Sequence, residues 1–373
     1  MNETFDQDIE VKESTDVIKC PKCGSNMTFH PAKHGLHCEY CDHTVIIEGK
    51  LNKEELDFLT HADSIQKWEK ETRTFHCSNC GADTVFSFNE IATTCPFCSS
   101  ANVSVLKDEV GIKPTSIVPF RQTKLEVKSI YQKWIKSKFY APKELKKTIP
   151  DSMVQGVYLP FWTYDTNTIA RYEGRVGQYY YVTVGSGKNA RTVRKTRWYR
   201  ISGTVQRFFD DILVQASKRL DQRVIRRMGD YQTNSSIVYD SRYLAGFSAE
   251  RYEKTLLEGW EQAKTTIYNT LRQDIIRKHN ADTVDYINII PTYNNTKFKY
   301  VLLPLWICNF KFKDALYHFY VSGFNGRIYG KYPVSVPKVI FTVIFVILVI
   351  VGVLLYMNSA GLLSGFGNGG MYY

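Results

Sequence analysis

The hydrophobic pattern of residues 107–337 predicts a cytoplasmic α+β domain with mixed antiparallel strands and helices. Apolar and polar positions alternate over 153–203 and again over 282–332, which is the period of half-buried strands. The glycine-containing stretch 185–189 predicts a hairpin turn inside the first of these regions. The two strand regions are therefore expected to form the sheet of the domain.

Three other stretches of this domain have the spacing of amphipathic helices: 124–138, 211–228 and 248 to about 278. Ser248 is a good N-cap for the last of them. The expected apolar side of the first helix comprises Val127, Ile130, Tyr131, Trp134 and Ile135, and that of the last comprises Tyr252, Leu256, Trp260, Ala263, Ile267, Leu271 and Ile275.

A short motif occurs twice in the strand regions. YLPFW at 158–162 resembles LLPLW at 302–306, and each precedes strands rich in tyrosine or phenylalanine. We interpret the pair as a sign of two similar β-subunits within one domain.

A membrane anchor is expected near the carboxyl end. Residues 339–357 carry no charged side chain and would span roughly 28 Å as a helix, which matches the hydrocarbon layer. We predict a single transmembrane helix at 338–358, with Pro337 breaking any helix that runs in from the domain. A glycine-rich extracytoplasmic tail at 359–373 would follow.

The orientation of this anchor follows from charge. Arg327, Lys331 and Lys338 lie on its amino side, whereas the tail at 359–373 has no charged side chain. The positive-inside rule therefore predicts a cytoplasmic amino terminus and an outside carboxyl terminus. The amino-terminal residues 1–19 are expected to form an acidic disordered tail.

The cysteines form a second repeat. Eight of the nine fall into C-x2-C pairs, and the pairs combine into two sets with the spacing C-x2-C-x14-C-x2-C. A glycine, Gly24 or Gly81, follows the second cysteine of each set and can take the positive φ that closes a metal-binding knuckle. The predicted ligands are Cys20, Cys23, Cys38 and Cys41 in the first set, and Cys77, Cys80, Cys95 and Cys98 in the second.

These sets predict two zinc ribbons, at 20–48 and 75–106, each with one structural Zn²⁺ as its cofactor. Four thiolates complete a tetrahedral shell and leave no open position for catalysis. Redox dithiols, metal at only one set, and iron in a rubredoxin-like site are the alternatives. The nearby histidines are interpreted as surface or supporting residues: His30, His34, His37, His43 and His76.

A helical spacer at 49–74 is expected between the ribbons. Asn52 can cap it, and Leu56, Leu59, Ile65 and Trp68 would form its apolar stripe.

Several dispersed stretches resemble a bacterial family of zinc-ribbon membrane proteins, some of them labelled TFIIB-type, primosomal or helicase-like. The stretches are VYLPFWTYD, TRWYRISGTVQRFFDDILVQAS, YLAGFSAERYE, VLLPLW and YVSGFNGRIYGKYP. The resemblance implies a membrane-linked role in an envelope stress response, with phage-shock protein A-like or flotillin-like (SPFH) proteins as partners. It implies no catalytic residues.

A helicase activity is not expected, because the chain lacks a phosphate-binding P-loop. The nearest candidate is Gly187-Lys188, but Val182 stands where the first glycine should be and Asn189 replaces the serine or threonine.

The net charge of +11 makes a polyanionic partner plausible. The densest basic run is interleaved with Trp198, Tyr199 and Phe208, which suits phosphate contacts and base stacking as well as lipid headgroups or plain solvent. If this run is a strand, its charges lie on both faces. It comprises Arg191, Arg194, Lys195, Arg197, Arg200 and Arg207.

Three residues are candidate catalysts: Asp210, Asp211 and Cys308. Asp210 and Asp211 are interpreted as a helix start, where acids favour the positive end of the dipole, with metal- or base-assisted hydrolysis as the remote alternative. Cys308 lies in an apolar run and is expected to be a buried structural thiol.

The preferred hypothesis is therefore a non-enzymatic, membrane-anchored adaptor or scaffold, and the alternative is a membrane-tethered nucleic-acid-binding protein.

Overall fold

The computed structural model describes residues 18–61, 72–79, 82–87, 95–97, 103–106, 112–147, 154–187, 190–229, 231, 233–313 and 315–359. The strands are β1 (Thr28–His30), β2 (Gly35–His37), β3 (Thr44–Ile46), β4 (Leu56–Asp57), β5 (Thr72–Cys77), β6 (Asp83–Ser87), β7 (Val103–Leu106), β8 (Ser116–Ile117), β9 (Val154–Val184), β10 (Arg191–Gln215), β11 (Ile237–Val238), β12 (Ser248–Glu250), β13 (Thr283–Phe312), β14 (Ala315–Ser322) and β15 (Ile328–Gly330). The helices are α1 (Phe58–His61), α2 (Lys124–Lys136), α3 (Gln222–Met228), α4 (Leu256–Lys278) and α5 (Val336–Ser359).

Three very long strands organise the main sheet. β9 pairs antiparallel with β10 on one side and with β13 on the other, and the shorter strands add to this centre in the order β11-β8-β13-β9-β12-β6-β5-β7. β13 alone has 30 residues, which corresponds to roughly 100 Å of extended chain. The expected α+β class, with antiparallel pairing of the long strands, is confirmed.

The sheet has a long arm and a short arm. The long arm is the part of β9, β10 and β13 that packs against α4, and the short arm is the hairpin of β13 and β14 that packs against α2. On the long arm, Ala170, Tyr172 and Val176 are buried beneath α4, while the alternate residues of β9 are exposed. On the short arm, the rings of Tyr131 and Phe319 stack with centroids 4.5 Å apart.

The two copies of the repeated motif lie side by side at the centre of the sheet. Leu159 of the first pairs with Leu303 of the second, in antiparallel register. Each half of the domain contributes a short strand, a helix and a hairpin in the same order. The short strands are exchanged, because β8 pairs parallel with β13 and β12 pairs parallel with β9.

Matching hydrogen bonds join the two halves. The indole of Trp162 donates to the carbonyl of Lys254 over 3.0 Å, and the indole of Trp306 donates to the carbonyl of Gln122 over 3.1 Å. Each carbonyl belongs to the residue before the N-cap of a helix, and both helices begin with a threonine–glutamate capping box. The repeated motif therefore marks an internal pseudo-twofold arrangement.

The predicted helix at 124–138 is confirmed as α2, but two other helices were placed wrongly. β10 continues through Ile212–Val214, which pair with β9, so only Gln222–Met228 of the stretch 211–228 is helical. Ser248 begins β12, and α4 starts at Leu256 behind the N-cap Thr255. Periodicity could not separate these cases, because both segments owe their conformation to pairing with β9.

The described part of the spacer is also different from the prediction. The Asn52 side chain donates to the Thr115 carbonyl rather than capping a helix at this point, Leu56 belongs to β4, and a helix begins only at Phe58, as α1. Leu59 is 80% exposed. Ile65 and Trp68 lie outside the described residues.

α5 confirms the apolar carboxyl-terminal helix. Residues Val336–Met357 are long and apolar enough to cross a membrane, and none of the apolar window within this segment is buried in the structure. Pro337 was expected to precede the helix but lies in its first turn. Its missing N–H has no intrahelical partner there, so the helix tolerates it.

Candidate metal centre

The first cysteine set lies at one end of the small sheet of β1, β2 and β3. β2 pairs antiparallel with both neighbours, and Gly35 accommodates the close approach of β3 because a Cβ there would overlap the Val45 carbonyl oxygen. This compact hairpin brings together two knuckles that are distant in sequence. All four sulfur atoms, of Cys20, Cys23, Cys38 and Cys41, lie within 4.8 Å of one another.

The sulfur positions fit a tetrahedral metal shell. The Sγ atoms of Cys20 and Cys41 are 3.4 Å apart, and those of Cys23 and Cys38 are 3.5 Å apart. A Zn²⁺ ion with Zn–S bonds of about 2.3 Å places its sulfurs roughly 3.8 Å apart, so only a small expansion is needed. The four thiols can therefore hold one metal ion without rearrangement of the hairpin.

Backbone hydrogen bonds close each knuckle. Gly24 N donates to the Cys20 carbonyl, and Asp42 N donates to the Cys38 carbonyl, both over 2.9 Å. Gly24 has a φ of 74°, as the sequence indicated, whereas the second knuckle reaches φ 60° with the non-glycine residue Asp42. The side chain of Asp42 also forms an ion pair with Lys33 at 2.7 Å.

The thiols are prepared for metal binding to different degrees. Hydrogen bonds from the side chain and backbone of Ser25 lower the pKa of Cys23 to about 6, which favours its thiolate at neutral pH. Within the described chain, the metal-competent group around these sulfurs contains no histidine. His37 instead contacts Thr44, and its ring meets that of His30 edge-on at 5.5 Å.

The second set is only partly described. Cys77 and Cys95 are buried side by side in a small cluster with Ala82. Cys77 N donates to the Ala82 carbonyl over 2.8 Å, and in the first set Cys20 N makes the equivalent bond to the Ser25 carbonyl over 2.7 Å. Cys80, Gly81 and Cys98 lie outside the described residues, so the second metal site remains a prediction.

Both cysteine hairpins are attached to the main domain. Phe29 of the first packs edge-on against Tyr243 at 5.0 Å. The second joins the main sheet through β6 and β12, and the Asn309 side chain donates to the carbonyls of Pro96 and Phe97. The ribbon regions are therefore parts of one framework with the sheet.

A carboxylate cluster, which the sequence did not reveal, lies at the base of the long arm. Asp210 and Asp211 do not start a helix; they form a bulge in β10 opposite Asp165, and Asp211 has a φ of 50°. Carboxylate oxygens of the three residues lie within 4.8 Å of one another. Lys299 approaches Glu55 at 3.3 Å and Asp211 at 3.5 Å, so an ammonium group already neutralises part of the cluster.

Asp165 is the most perturbed member of this cluster. Burial, the hydrogen bond with Glu55 and the charges of Glu55 and Asp211 raise the pKa of Asp165 to about 7, although the Asp211 amide opposes the shift by donating to its carboxylate over 2.7 Å. Burial opposes ionisation of Glu55 too, but its bonds to Asp165 and Lys299 lower its pKa overall. The arrangement is a proton shared between two carboxylates beside a lysine.

We expect Asp165→Asn to stabilise the protein at pH 8 by about 2 kcal/mol and to have little effect below pH 4. The folded-state pKa of Asp165 lies above its unfolded value, so the associated stability is present at low pH and is lost as the pH rises from about 4 through 7. Denaturant unfolding at several pH values measures this difference. The exposed Asp221, whose pKa Arg223 lowers to about 2, gives the control variant Asp221→Asn, which should show no gain at pH 8.

The predicted basic run lies on β10, and its charges are divided between both faces, as expected for a strand. Arg194 stacks over Tyr179 at 4.3 Å and Arg197 over Tyr180 at 5.7 Å. Arg207 instead pairs with Asp274 of α4. The remaining members, Arg191, Lys195 and Arg200, are exposed.

Cys308 is buried, as predicted. Its side chain has no exposed surface, and desolvation raises the pKa of its thiol far above the ordinary value. A thiol in this state is a poor nucleophile.

Comparison with known proteins gives one relative of similar extent. The uncharacterized protein YdjG of Bacillus subtilis (strain 168) is 27% identical over 330 residues, which cover 86% of this chain and 91% of the relative. No family model and no solved structure matches the chain. The resemblance to bacterial proteins is thus confirmed for this homologue, whereas the zinc-ribbon family and the phage-shock link remain predictions.

Proposed function

We propose that the protein is a membrane-anchored adaptor or scaffold that recruits protein partners to the cytoplasmic membrane. The observation that carries the proposal is α5, whose apolar surface is fully exposed although its first turn is attached to a large folded domain. Burial of this surface in lipid would remove an exposure that is very unfavourable in water.

The attachment of α5 to the domain is specific. Ser335 N donates to the Tyr140 carbonyl, and the Lys338 ammonium donates to the carbonyls of Phe139 and Ala141 over 2.9 and 2.7 Å. These bonds hold the domain at the membrane surface. Lys331 and Lys338 on the amino side of α5 favour a single-pass orientation with the domain in the cytoplasm.

Two structural zinc ions would stabilise the ribbon regions in this proposal. Small cysteine hairpins cannot bury enough apolar surface to fold alone, and metal binding supplies the missing free energy. The closed shell of the first set gives the metal no position for substrate, which favours a scaffold over an enzyme.

The long arm offers the docking surface. Its face opposite α4 exposes Ile290, which pairs with Arg171 of the central strand β9, and Phe208, which pairs with Asn167 of the same strand; their exposed fractions are 71% and 57%. Exposed apolar side chains flanked by arginine are typical of protein interfaces. The resemblance implies phage-shock protein A-like or flotillin-like proteins as the partners in an envelope stress response.

Partner capture from nuclease-treated native membranes tests this proposal. The wild type should recover a defined membrane-associated protein, and Phe208→Asp with Ile290→Asp should reduce its recovery about tenfold because two charges would be buried at the contact. Leu59→Asp with Leu125→Asp, at two other exposed leucines, is the matched control and should retain the partner. Equal recovery by all variants would exclude the arm as the docking surface.

A membrane-tethered nucleic-acid-binding protein is the second candidate. The tip of the β9–β10 hairpin combines tyrosines with arginines and contains no acidic residue between 178 and 197. If omission of nuclease yields nucleic acid in place of a protein partner, the adaptor proposal gives way to this one. Binding should then weaken steeply with salt, and Arg194→Gln with Arg197→Gln should reduce the salt slope by about two.

A further inference from the structure

A basic cavity opens beside the attachment point of α5. Its volume is about 520 Å³. Three cationic side chains and three aromatic rings form most of its described lining, and none of the described lining residues carries a carboxylate. These six residues are Lys138, Arg227, Arg327, Trp134, Tyr329 and Tyr332.

The cavity is built by the packing of three separate segments. Trp134 and Lys138 come from the end of α2 and the turn after it, Arg227 comes from α3, and Tyr329 comes from β15. The Asn325 side chain joins the β14–β15 turn to α3 by donating to the Met228 carbonyl over 3.0 Å.

Backbone geometry fixes the position of one arginine. Arg327 N donates to the Asn325 side chain over 3.0 Å, and its guanidinium lies against Gly229, where a Cβ would overlap it. The positive φ of Gly229, 78°, leaves this space open. The indole of Trp134 packs against the ring of Tyr332, which meets it edge-on with the ring centroids 5.8 Å apart.

The charges in the cavity are not neutralised within the described chain. Other arginines of this region have acidic partners: Arg223 pairs with Asp221 at 2.6 Å, and Arg219 pairs with Glu250 at 3.1 Å. Arg227 and Arg327 form no ion pair with any described residue. Two guanidinium groups facing one aromatic-walled cavity fit an anion with several oxygens, and a phosphate has the matching geometry.

The position of the cavity indicates where the phosphate comes from. Tyr332 precedes α5 by only a short linker, and the chain continues from Lys138 into Phe139, whose carbonyl accepts from Lys338. If α5 crosses the membrane, the cavity lies at headgroup level, where tryptophan, tyrosine, lysine and arginine are the favoured residues.

We propose that this cavity binds the phosphate headgroup of an anionic phospholipid and so fixes the orientation of the domain on the membrane. The inference rests on the proposed anchoring by α5. The cavity and the basic hairpin tip lie at opposite ends of the long strands. At the end near the hairpin tip, Gly177 of β9 pairs with Thr283 of β13, and at the other end Val154 pairs with Cys308.

Binding of short-chain lipids to the detergent-solubilised full chain tests the proposal. Dioctanoyl phosphatidylglycerol, dioctanoyl phosphatidylcholine and glycerol 3-phosphate would be titrated and the bound species counted by native mass spectrometry. The phosphatidylglycerol should bind at least about tenfold more tightly than the other two, and Arg227→Gln with Arg327→Gln should remove this preference. Arg194→Gln with Arg197→Gln removes the same charge at the hairpin tip and should leave the preference intact.

Three outcomes would overturn the inference: equal binding of the two lipids by the wild type, equal binding of glycerol 3-phosphate, or an unchanged preference in the cavity variant. The second would assign the cavity to a soluble phosphate compound. Flotation of the full chain with neutral liposomes examines the anchor separately. A chain that fails to float contradicts the proposed anchoring, whereas one that floats without a headgroup preference contradicts only the lipid site.

Discussion

Replacement of Cys38 by serine is expected to remove one metal ion per chain and to unfold the hairpin of β1, β2 and β3. The Cys38 sulfur is fully buried and lies 3.5 Å from that of Cys23, so no solvent ligand can take its place without opening the knuckle. Metal-coupled folding of such sites involves on the order of 10 kcal/mol, and loss of one thiolate forfeits much of it. Elemental analysis gives the metal content, and hydrogen exchange of residues 28–46 gives the local unfolding.

The unfolding should reach the main domain only partly. Phe29 packs on Tyr243, and its amide donates to the Ala245 carbonyl over 2.9 Å, so the segment around residue 245 should exchange faster while the long arm remains protected. Cys308→Ala is the matched control, because it removes a buried thiol that belongs to neither cysteine set. Unchanged metal content in Cys38→Ser would refute the four-thiolate site, and iron in place of zinc would correct the identity of the metal.

The first four-cysteine cluster could be predicted from sequence because its geometry is local. Two C-x2-C knuckles and a short connecting hairpin determine the sulfur geometry almost without reference to the rest of the chain. The same reasoning missed Asp42, because an aspartate takes the positive φ for which the sequence pattern favours glycine. The apolar helix α5 was equally predictable, because its length and composition alone define it.

The carboxylate cluster could not be predicted, because it depends on pairing between distant segments. Asp165 and Asp211 meet across two strands, and Lys299 arrives from a third. In sequence, the acidic pair before an apolar stretch fits a helix start as well as a strand bulge. Residues 210–215 form a strand because they pair with the edge of β9, and local propensity contains no information on that pairing.

The repeated motif gained its meaning only from the structure. Three identities within five residues, followed by aromatic-rich strands, indicate little by themselves. The structure adds an equivalent hydrogen bond for each tryptophan, equivalent capping boxes and exchanged short strands. These features show that each half completes the other, so the halves are unlike two independent subunits: neither has its own complete sheet.

We therefore expect Trp162→Ala and Trp306→Ala to destabilise the protein by similar amounts, about 3–5 kcal/mol each. Each substitution creates a cavity at the centre of the sheet and leaves the carbonyl of Lys254 or Gln122 without its indole donor. Trp162→Phe and Trp306→Phe should recover roughly half of the loss, because the ring volume returns while the hydrogen bond does not. Guanidinium unfolding of the solubilised chain, followed by circular dichroism, measures these changes.

Trp198→Phe supplies the control for this comparison, because Trp198 is 40% exposed near the tip of the β9–β10 hairpin and its replacement should cost no more than about 1 kcal/mol. If one Trp→Ala substitution lowers the free energy of unfolding strongly and the other barely changes it, the two hydrogen bonds are not energetically equivalent. The pseudo-twofold symmetry would then be geometric but not energetic. Similar losses would mean that the two motifs contribute equally to the stability of the contact between the halves. We would then expect the domain to unfold as one unit, since release of either tryptophan opens the contact that both halves share.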